Sequence, residues 1–502
     1  MVCPAFVARG PFATGGGSVF ITSADFNNDG IIDLAVTNFS DDTVSVLLGI
    51  GDGNFSTQTT FVVGDQPFEI ISADFNNDGN IDLAATNVAD DTVSILLGNG
   101  DGTFDPQTTF ATGDLPNGIV SADFNNDGNL DLAIANSGGN TVSVLLGNGT
   151  GSFGPQTTFA TGAAPLGITS ADFNNDGNTD LAVTNNSGDT VSVFLGDGTG
   201  SFGPQTTFAT GIAPQELTSA DFNNDGFIDL TVANGADNTI SVFLGNGTGS
   251  FGPQTTFATG DLPFDVESTD FNCDGILDLA VTNSSDTTVS IFIGNGDGTF
   301  TAQTTFTTGA DPLGITIADF NNDGAPDLAT ANSSDDNTSV LLDDCVRAFT
   351  CSDQVLPNDP GICAATVPFP SDQCVNVATF CDPATVPVGS PTSVTCTAAS
   401  NLNPANIEAC TFTVTVNDTE PPVFTNLSDI DVQVDNSVGT IVTYPDPVVT
   451  DNCPGVITTT CTPPSGSFFP VGSTIVTCVA TDTNGNSATG TFTVNVFPFE
   501  EE

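Results

Sequence analysis

The sequence has no histidine, no lysine and no tryptophan, and its only basic side chains are Arg9 and Arg347. Without histidine and lysine, the commonest general base and the amine nucleophile of imine chemistry are missing, so acid–base catalysis would rest on carboxylates alone. The 61 acidic residues leave a formal net charge of -59, and such a surface repels nucleic acids and anionic membranes. We therefore expect a non-enzymatic protein whose natural counter-charges are cations.

Long apolar runs are also missing. No run approaches the ~20 residues of a membrane-spanning helix, and the N-terminal Met-Val-Cys-Pro shows no signal-peptide pattern. However, 12 cysteines and a set of Asn-x-Ser/Thr sequons favour an oxidising, extracellular setting. We expect a secreted protein without membrane insertion, whose leader is removed or omitted from this numbering. The glycosylation candidates are Asn38, Asn54, Asn148, Asn185, Asn246, Asn283, Asn332, Asn337, Asn417 and Asn426.

One acidic turn, ADFNNDG in its first copy, recurs along most of the chain. Its leading aspartate returns every 49 residues, at Asp25, Asp74, Asp123, Asp172, Asp221, Asp270 and Asp319. A fixed period of this length predicts a repeat architecture. One period contains four short β-like runs separated by turn residues, Gly118–Phe124, Asp131–Ala135, Thr141–Leu146 and Gln156–Thr161. Four antiparallel strands in seven copies predict an all-β, seven-bladed β-propeller over residues 1–345.

The seventh unit stops at Cys345, before its fourth strand. Two columns of phenylalanines spaced by one period find their missing members near the N-terminus, at Phe6 and Phe12. We therefore predict that the N-terminal segment supplies the missing strand and closes the ring, which leaves no open edge. Cys3 and Cys345 fall at adjacent repeat positions in the loop where the ring is cut, which predicts a disulfide between them.

Each turn reads Asp-Phe-Asn-x-Asp-Gly-x-x-Asp. Oxygen side chains at positions 1, 3 and 5, a glycine at the sharp turn and a carbonyl at position 7 predict a loop that wraps a hard cation such as Ca²⁺. Three carboxylates this close would repel each other without an ion. The alternative is a tight Asn-Asp-Gly turn that holds no ion. An EF-hand is excluded, because Val36 or Ala85 stands where it needs glutamate and the flanks are strands.

The stretch FATGDLPNGIVSADFNNDGNLDLAIAN resembles the FG-GAP or VCBS repeats of integrin-α-like propellers. The resemblance covers residues 1 to about 345 and implies Ca²⁺ between the first and second strands of each blade, at about seven sites. The implied side-chain ligands are Asp25, Asn27, Asp29, Asp33, Asp74, Asn76, Asp78, Asp82, Asp123, Asn125, Asp127, Asp131, Asp172, Asn174, Asp176, Asp180, Asp221, Asn223, Asp225, Asp229, Asp270, Asn272, Asp274, Asp278, Asp319, Asn321, Asp323 and Asp327. The implied backbone ligands are Ile31, Asn80, Asn129, Asn178, Phe227, Ile276 and Ala325.

After Cys345 the composition shifts to proline, valine, threonine and cysteine. The stretch TCTPPSGSFFPVGSTIVTC resembles a hyalin repeat, or HYR domain, which has an immunoglobulin-like β-sandwich fold, and a similar copy precedes it. We expect two such domains, at residues 346–418 and at residues 419–502 with the acidic tail. The family is associated with extracellular matrix and cell adhesion.

Comparison of the two HYR copies predicts four disulfides, Cys381–Cys396, Cys461–Cys478, Cys351–Cys363 and Cys374–Cys410. Cys351 and Cys363 are both absent from the second copy, as bonded partners would be. Cys273 and Cys453 are left unassigned. Three interpretations stay open for them: a bond within one molecule, a bond between subunits, or two free thiols.

These features predict a secreted, calcium-stabilised structural or adhesive protein, a filament or matrix subunit assembled by head-to-tail contacts between propeller and tail. The alternative is a monomeric extracellular adhesion module that binds a carbohydrate or protein on one propeller face. The near-identical blades weigh against it, since a dedicated pocket usually breaks the symmetry. A carboxylate-based, glycan-active enzyme is the least favoured interpretation.

Overall fold

The computed structural model describes residues 5–346, 351–369, 377–389, 391–403, 406–435 and 437–499. Within these ranges every regular element is a β-strand. The chain forms two compact units. The first comprises Met1–Arg347 with the short segments Gln373–Val377 and Ser400–Asn406, and the second comprises Ala348–Asp372, Ala378–Ala399 and Ile407–Glu502. The described residues include no helix with the length and apolarity needed to cross a membrane.

In its described residues the first unit forms seven four-stranded antiparallel sheets, and each sheet is one blade. Strands β1 to β28 are, in chain order, Phe6–Ala13, Ser18–Ala24, Asp33–Asn38, Thr43–Leu47, Thr59–Val62, Pro67–Ala73, Asp82–Asn87, Thr92–Leu96, Thr108–Ala111, Pro116–Ala122, Asp131–Asn136, Thr141–Leu145, Thr157–Ala160, Pro165–Ala171, Asp180–Asn185, Thr190–Phe194, Thr206–Ala209, Pro214–Ala220, Asp229–Asn234, Thr239–Phe243, Thr255–Ala258, Pro263–Thr269, Asp278–Asn283, Thr288–Phe292, Thr304–Thr307, Pro312–Ala318, Asp327–Asn332 and Asn337–Asp343.

The first strand of every blade is its inner strand, and the inner strands form a closed ring. Each one contacts the inner strand of the next blade, and β26 of the seventh blade contacts β2 of the first. The second strands are buried at every position, as in β3, because both of their faces lie against neighbouring blades. The first unit is therefore the predicted seven-bladed β-propeller.

The N-terminal strand closes the ring, as the phenylalanine columns predicted. Strand β1 pairs antiparallel with β28, with Phe6 opposite Asp343. The Phe6 ring centre lies 5.7 Å from that of Phe271 and 5.0 Å from that of Phe306, and Phe104 makes the equivalent two contacts within the uninterrupted part of the ring. Cys345 is disulfide-bonded. Cys3 lies outside the described residues, so the Cys3–Cys345 pairing stays a prediction.

A buried asparagine ends the second strand of each blade, and it corrects part of the glycosylation prediction. In the first blade Asn38 accepts a hydrogen bond from Gly15 N at 3.0 Å and donates to Thr43 Oγ1 and Ser45 Oγ at 3.0 and 2.8 Å. An amide that is fully enclosed and hydrogen-bonded has no room for a glycan in the folded protein. The prediction is therefore wrong for the four sequon asparagines with no exposed surface, Asn38, Asn185, Asn283 and Asn332.

The second unit contains two similar β-sandwich domains. In each, a four-stranded sheet includes one parallel pair, Gln354–Pro357 (β29) with Ile407–Asn417 (β34) and Ile430–Val434 (β36) with Ser487–Pro498 (β42). Phe412 and Val394 lie in the first core, and Phe492 and Val476 lie in the second. Strands β29 to β42 are, in chain order, Gln354–Pro357, Ala364–Thr366, Val377–Asp382, Thr385–Pro387, Thr392–Ser400, Ile407–Asn417, Val423–Phe424, Ile430–Val434, Gly439–Val442, Val449–Thr450, Thr458–Thr462, Ser467–Pro470, Gly472–Thr481 and Ser487–Pro498.

The disulfides of this unit confirm two predicted pairs and correct two others. The bonds Cys381–Cys396 and Cys461–Cys478 are present as predicted. The predicted pairs Cys351–Cys363 and Cys374–Cys410 are wrong, because Cys351 bonds Cys410 and Cys363 bonds Cys453. Cys374 itself lies outside the described residues. Cys273 is also disulfide-bonded, so neither of the unassigned cysteines is a free thiol, and Cys453 bonds within its own chain.

The parallel pairing of β29 with β34 explains the first correction. It places Gln354 opposite Val414, which brings the segment before Gln354 alongside Cys410. In the second copy, Leu427 and Gly490 occupy the positions of the bonded cysteines. A β-carbon added to Gly490 would lie 2.2 Å from Leu427 Cδ1, so a leucine side chain fills the space that the disulfide takes in the first copy. The sequence contained a signal for this pair, because Cys351 and Cys410 are both replaced in the second copy.

The closing strand gives a direct test of the ring. We expect Phe6→Ala to lower the free energy of unfolding by about 2–4 kcal/mol. The substitution removes a half-buried ring, so two aromatic contacts are lost and a cavity remains. Urea unfolding of the full chain measures the change. Phe499→Ala, which removes an exposed ring at the other end of the chain, serves as the matched control. Equal stability of the two variants would contradict closure through β1.

Candidate metal centres

Each predicted metal loop connects the inner strand to the second strand of its blade. In the first blade the loop begins at Asp25 and ends at Asp33, the first residue of β3. The two carboxylate oxygens of Asp25 accept hydrogen bonds from Asp29 N at 3.1 Å and Gly30 N at 2.8 Å. The chain turns sharply through Asn28 at φ 57° and Gly30 at φ 83°, and asparagine and glycine tolerate this left-handed conformation best.

The next two side chains of the motif also turn back onto the loop. Asn27 Oδ1 accepts a hydrogen bond from Asp29 N, and Asp29 Oδ1 accepts one from Ile31 N, both at 2.9 Å. The loop of the second blade repeats all four bonds with its own residues. The oxygens at positions 1, 3 and 5 therefore lie on the inside of the turn, as a cation-binding loop requires.

The last aspartate of the loop is fully buried. Asp33 Oδ2 accepts a hydrogen bond from Phe26 N at 2.9 Å, and its Oδ1 accepts one from Gly49 N at 2.7 Å. Burial raises the pKa of Asp33 to about 6, and the neighbouring carboxylates of Asp29 and Asp25 add to the rise, while the two hydrogen bonds oppose it. Beyond the predicted ligand role, this residue thus joins the loop to the turn after the third strand.

No three carboxylates of one described loop have oxygen atoms that all lie within 4.8 Å of one another. Among the described residues, the group of three acidic or cysteine side chains whose ligand atoms all lie within 4.8 Å of one another is Asp418, Asp451 and Cys453 in the second unit. Cys453 is disulfide-bonded there, so its sulfur is not available as a thiolate ligand. In the propeller loops, any complete shell would combine carboxylates with amide and backbone oxygens.

Two buried oxygens of the loop motif have no hydrogen-bond donor, which agrees with the predicted ligand role of these residues. Asn272 Oδ1 in the sixth loop and Asp323 Oδ2 in the seventh are buried and have no hydrogen-bond partner. A buried acceptor without a donor costs free energy, and a cation bound inside the loop would satisfy it. All the predicted side-chain ligand atoms of the motif are oxygens, which suits Ca²⁺. The side chains at positions 1, 3, 5 and 9 and the carbonyl at position 7 would hold such an ion.

The seventh loop differs from the others, which the sequence analysis missed. Asp343 stands where every other blade has a glycine equivalent to Gly49, and its N–H donates to Asp327 Oδ1 at 2.7 Å. Burial raises the pKa of Asp343 to about 8, against the effect of its hydrogen bond with Cys345 N, and the carboxylate of Asp323 raises it further. The single non-glycine member of that repeat column was the signal available in the sequence.

A second group of acidic residues lies on the inner strands, and the sequence analysis missed it too. Glu69, Glu216 and Asp265 occupy one repeat position, and Glu267 follows two residues after Asp265. Burial is the main cause that raises the pKa of Glu69 and Glu216 well above the ordinary value, that of Asp265 to about 7 and that of Glu267 to about 8. The available signal was a repeat column that mixes acids with glycine and phenylalanine.

Fold and loops define a β-propeller built from acidic-loop repeats and joined to β-sandwich domains. The family model for the FG-GAP-like repeat matches residues 25–85, 74–134, 123–183, 172–232, 221–281 and 270–330, and the model for the HYR domain matches residues 417–496. The repeat matches span more than half of the chain. The chain belongs to the FG-GAP-like repeat family and contains an HYR domain.

The curated relatives match a shorter region. The chain is 40% identical over 112 residues to hyalin of Lytechinus variegatus and 43% identical over 112 residues to hyalin of Strongylocentrotus purpuratus. Each alignment covers 22% of this chain, but only 21% and 9% of the respective hyalin. Together, these domains and relatives indicate an extracellular protein of the adhesion type.

Among solved structures, the chain is similar to BBS1N as crystallised in complex with ARL6DN. The TM-score is 0.50 at 12% sequence identity, and the match covers 68% of this chain and 98% of that one. At this identity the likeness supports the propeller fold alone.

The loops predict a calcium-dependent stability. We expect Asp29→Asn to lower the free energy of unfolding by about 0.5–1.5 kcal/mol in millimolar calcium, the value of one weak extracellular site. In excess EDTA the variant should be at least as stable as the wild type, because the amide oxygen still accepts the hydrogen bond from Ile31 N and one of the mutually repelling charges is removed. Thermal or urea unfolding in both buffers measures the effect. The same loss with and without calcium would mean that the loop binds no ion.

The buried acids predict a loss of stability with rising pH in metal-free protein. A carboxyl with a raised pKa in the folded state keeps a proton that the unfolded chain has already released, so stability falls as the pH rises from about 4.5 to about 8. Glu267→Gln should make this fall shallower, whereas Asp105→Asn, at an exposed position, should leave it unchanged. Urea unfolding at pH 5, 6.5 and 8 in EDTA tests the difference.

Proposed function

We propose that this protein is a secreted structural or adhesive protein whose propeller is stabilised by calcium, and that copies of it assemble into a filament or matrix through contacts between propeller and tail. The observation that supports this proposal most directly is the recurrence of one loop geometry around a closed ring. A loop that is repeated in every blade stabilises the ring as a whole, whereas a dedicated catalytic centre uses one set of residues.

Calcium suits the strong negative charge of the chain. Carboxylates recur along one rim of the propeller, and the loops of adjacent blades contact each other, with Asn28 Nδ2 donating to Asn80 Oδ1 at 3.0 Å and Asn77 Nδ2 to Asn129 Oδ1 at 3.2 Å. Ions bound in neighbouring loops would offset the mutual repulsion of these acids. Each site contributes little at extracellular calcium levels, so the stabilisation comes from the sum of about seven sites.

An apolar patch on the last domain supports assembly. Ile441 and Phe468 are opposite each other on the two-stranded sheet of β37 and β40, and Val471 N donates to Val438 O beside them. These four side chains are 67%, 55%, 37% and 67% exposed, in the order Ile441, Phe468, Val471 and Val438. Contiguous exposed apolar surface often marks an interaction site. We assign a second copy of the chain to it, because its four side chains carry no charge and so avoid the repulsion between acidic surfaces.

The second candidate is a monomeric binding module. One observation favours it: the inner strands break the sevenfold symmetry by placing Glu69, Glu216 and Asp265 among glycines and a phenylalanine at one repeat position. Such a departure from repetition is typical of a site with its own ligand. We propose no enzymatic activity, and hydrolysis of a polysaccharide that persists in EDTA would contradict this.

Assembly can be tested by sedimentation velocity and electron microscopy in millimolar calcium. We expect the wild type to form concentration-dependent oligomers or fibres, and the double variant Ile441→Ser/Phe468→Ser to stay monomeric. The matched control is Val355→Ser/Ile362→Ser, which removes two similarly exposed apolar side chains, 68% and 57% exposed, from the first sandwich domain. The control should assemble like the wild type.

One outcome decides between the two candidates, and another tests the patch. A wild-type chain that remains monomeric at every concentration in calcium contradicts the filament and leaves the binding module. Equal assembly of wild type and patch variant would show that copies meet at another surface, and so would contradict the role of this patch.

A further inference from the structure

The acids of the inner strands lie around the axis of the propeller, near enough for their charges to interact. Glu69, Glu216 and Asp265 belong to the second, fifth and sixth blades, and the second blade is adjacent to neither of the others. Nevertheless, the charges of Glu216, Asp265 and Glu267 all act on Glu69. Because the inner strands form a closed ring, side chains from non-adjacent blades come near one another only in the space that the ring encloses.

Two of these carboxylates reach the next blade. Glu69 Oε2 accepts a hydrogen bond from Ile119 N at 3.0 Å, and Asp265 Oδ2 accepts one from Ile315 N at 2.9 Å. Glu216 does not follow this pattern. Its side chain is only 4% exposed, and its Oε1 is buried without any hydrogen-bond partner. An ionised oxygen in this position is unstable unless a ligand or a proton satisfies it.

Glycines at the same repeat position leave space for the acids. A β-carbon at Gly167 would lie 2.2 Å from Glu216 Oε2, and one at Gly118 would lie 3.2 Å from Glu69 Oε2. Glu216 therefore extends over the glycine of the preceding blade, toward the enclosed space. The acid of one blade thus occupies the space left by the missing side chain of a glycine in an adjacent blade.

Phenylalanines lie on one side of the cluster, and none of the described residues around it is basic. Phe20 occupies the same repeat position, and its ring centre lies 5.1 Å from that of Phe68 and 5.9 Å from that of Phe264. Those two phenylalanines immediately precede Glu69 and Asp265. Arg9, the single basic residue in the described ranges, lies on β1, the outermost strand of the seventh blade. Hence protons or a bound cation must neutralise the acids.

We propose that Glu69, Glu216, Asp265 and Glu267 form a cation site on the propeller axis that binds one partly hydrated divalent metal ion, separate from the seven loops. Oxygen ligands select a hard ion such as Ca²⁺, Mg²⁺ or Mn²⁺. The ligand atoms of no three of these acids lie within 4.8 Å of one another, so three of them could not bind one bare ion directly. Water molecules kept by the ion would bridge to the carboxylates.

The test uses the full chain, crystallised at pH 8 with Mn²⁺, whose anomalous scattering locates the ion. We expect a peak on the axis beside Glu216 in the wild type and in Asp105→Asn, and none there in Glu69→Gln/Glu216→Gln. Peaks in the loops should remain in all three proteins. Equilibrium dialysis with Mn²⁺ should show the loss of one bound ion per chain in the double variant.

The wild-type crystal is informative even if the double variant fails to fold. Loop peaks without an axial peak would overturn the axial site and leave the proposed calcium loops intact. An axial peak without loop peaks would support this site and contradict the loops. An axial peak of equal height in the double variant would show that other atoms bind the ion, and would overturn the assignment of these residues.

Discussion

The structure of the propeller depends on one buried carboxylate in each blade, the aspartate that ends the acidic loop. Asp33 and its equivalents accept one backbone N–H from the start of the loop and one from the turn after the third strand. These two hydrogen bonds fix the position of the loop relative to the strands of its blade, and the oxygens of the motif lie on the inside of that loop. It also places a charge where water is excluded, which raises its pKa. The same residue thus serves the fold and the proposed cation site.

The charge balance of the chain extends this constraint. With 61 acidic and two basic residues, ion pairs within the chain cannot neutralise the carboxylates, so protons or external cations must do so. The propeller brings its acids together in two places, the loops at one rim and the inner strands at the axis. The sandwich domains are also stabilised by disulfides, and Cys363–Cys453 joins the first of them to the second. Extracellular conditions, oxidising and rich in calcium, suit both devices.

Much of the propeller followed from the repeat. The period predicted the number of blades, and the displaced Phe6 and Phe12 predicted which strand closes the ring, because each repeat position has the same environment in every blade. The disulfides followed only in part. The hairpin pairs were predictable from two copies of one domain, whereas Cys351–Cys410 depends on a parallel pairing of β29 with β34. The contact of Leu427 with Gly490, which replaces that bond in the second copy, is visible only in three dimensions.

The sequence alone determined the strands, the loop chemistry and the order of the blades, since these depend on residues close together in the chain. Tertiary structure decided what depends on ring closure and on burial. It enclosed Asn38, which the sequence marked for glycosylation, and it gave the seventh loop the extra carboxylate of Asp343. It also brought Glu69 to Glu216, three repeats away. Neighbours across a ring are set by its curvature and closure, and no local pattern of residues records them.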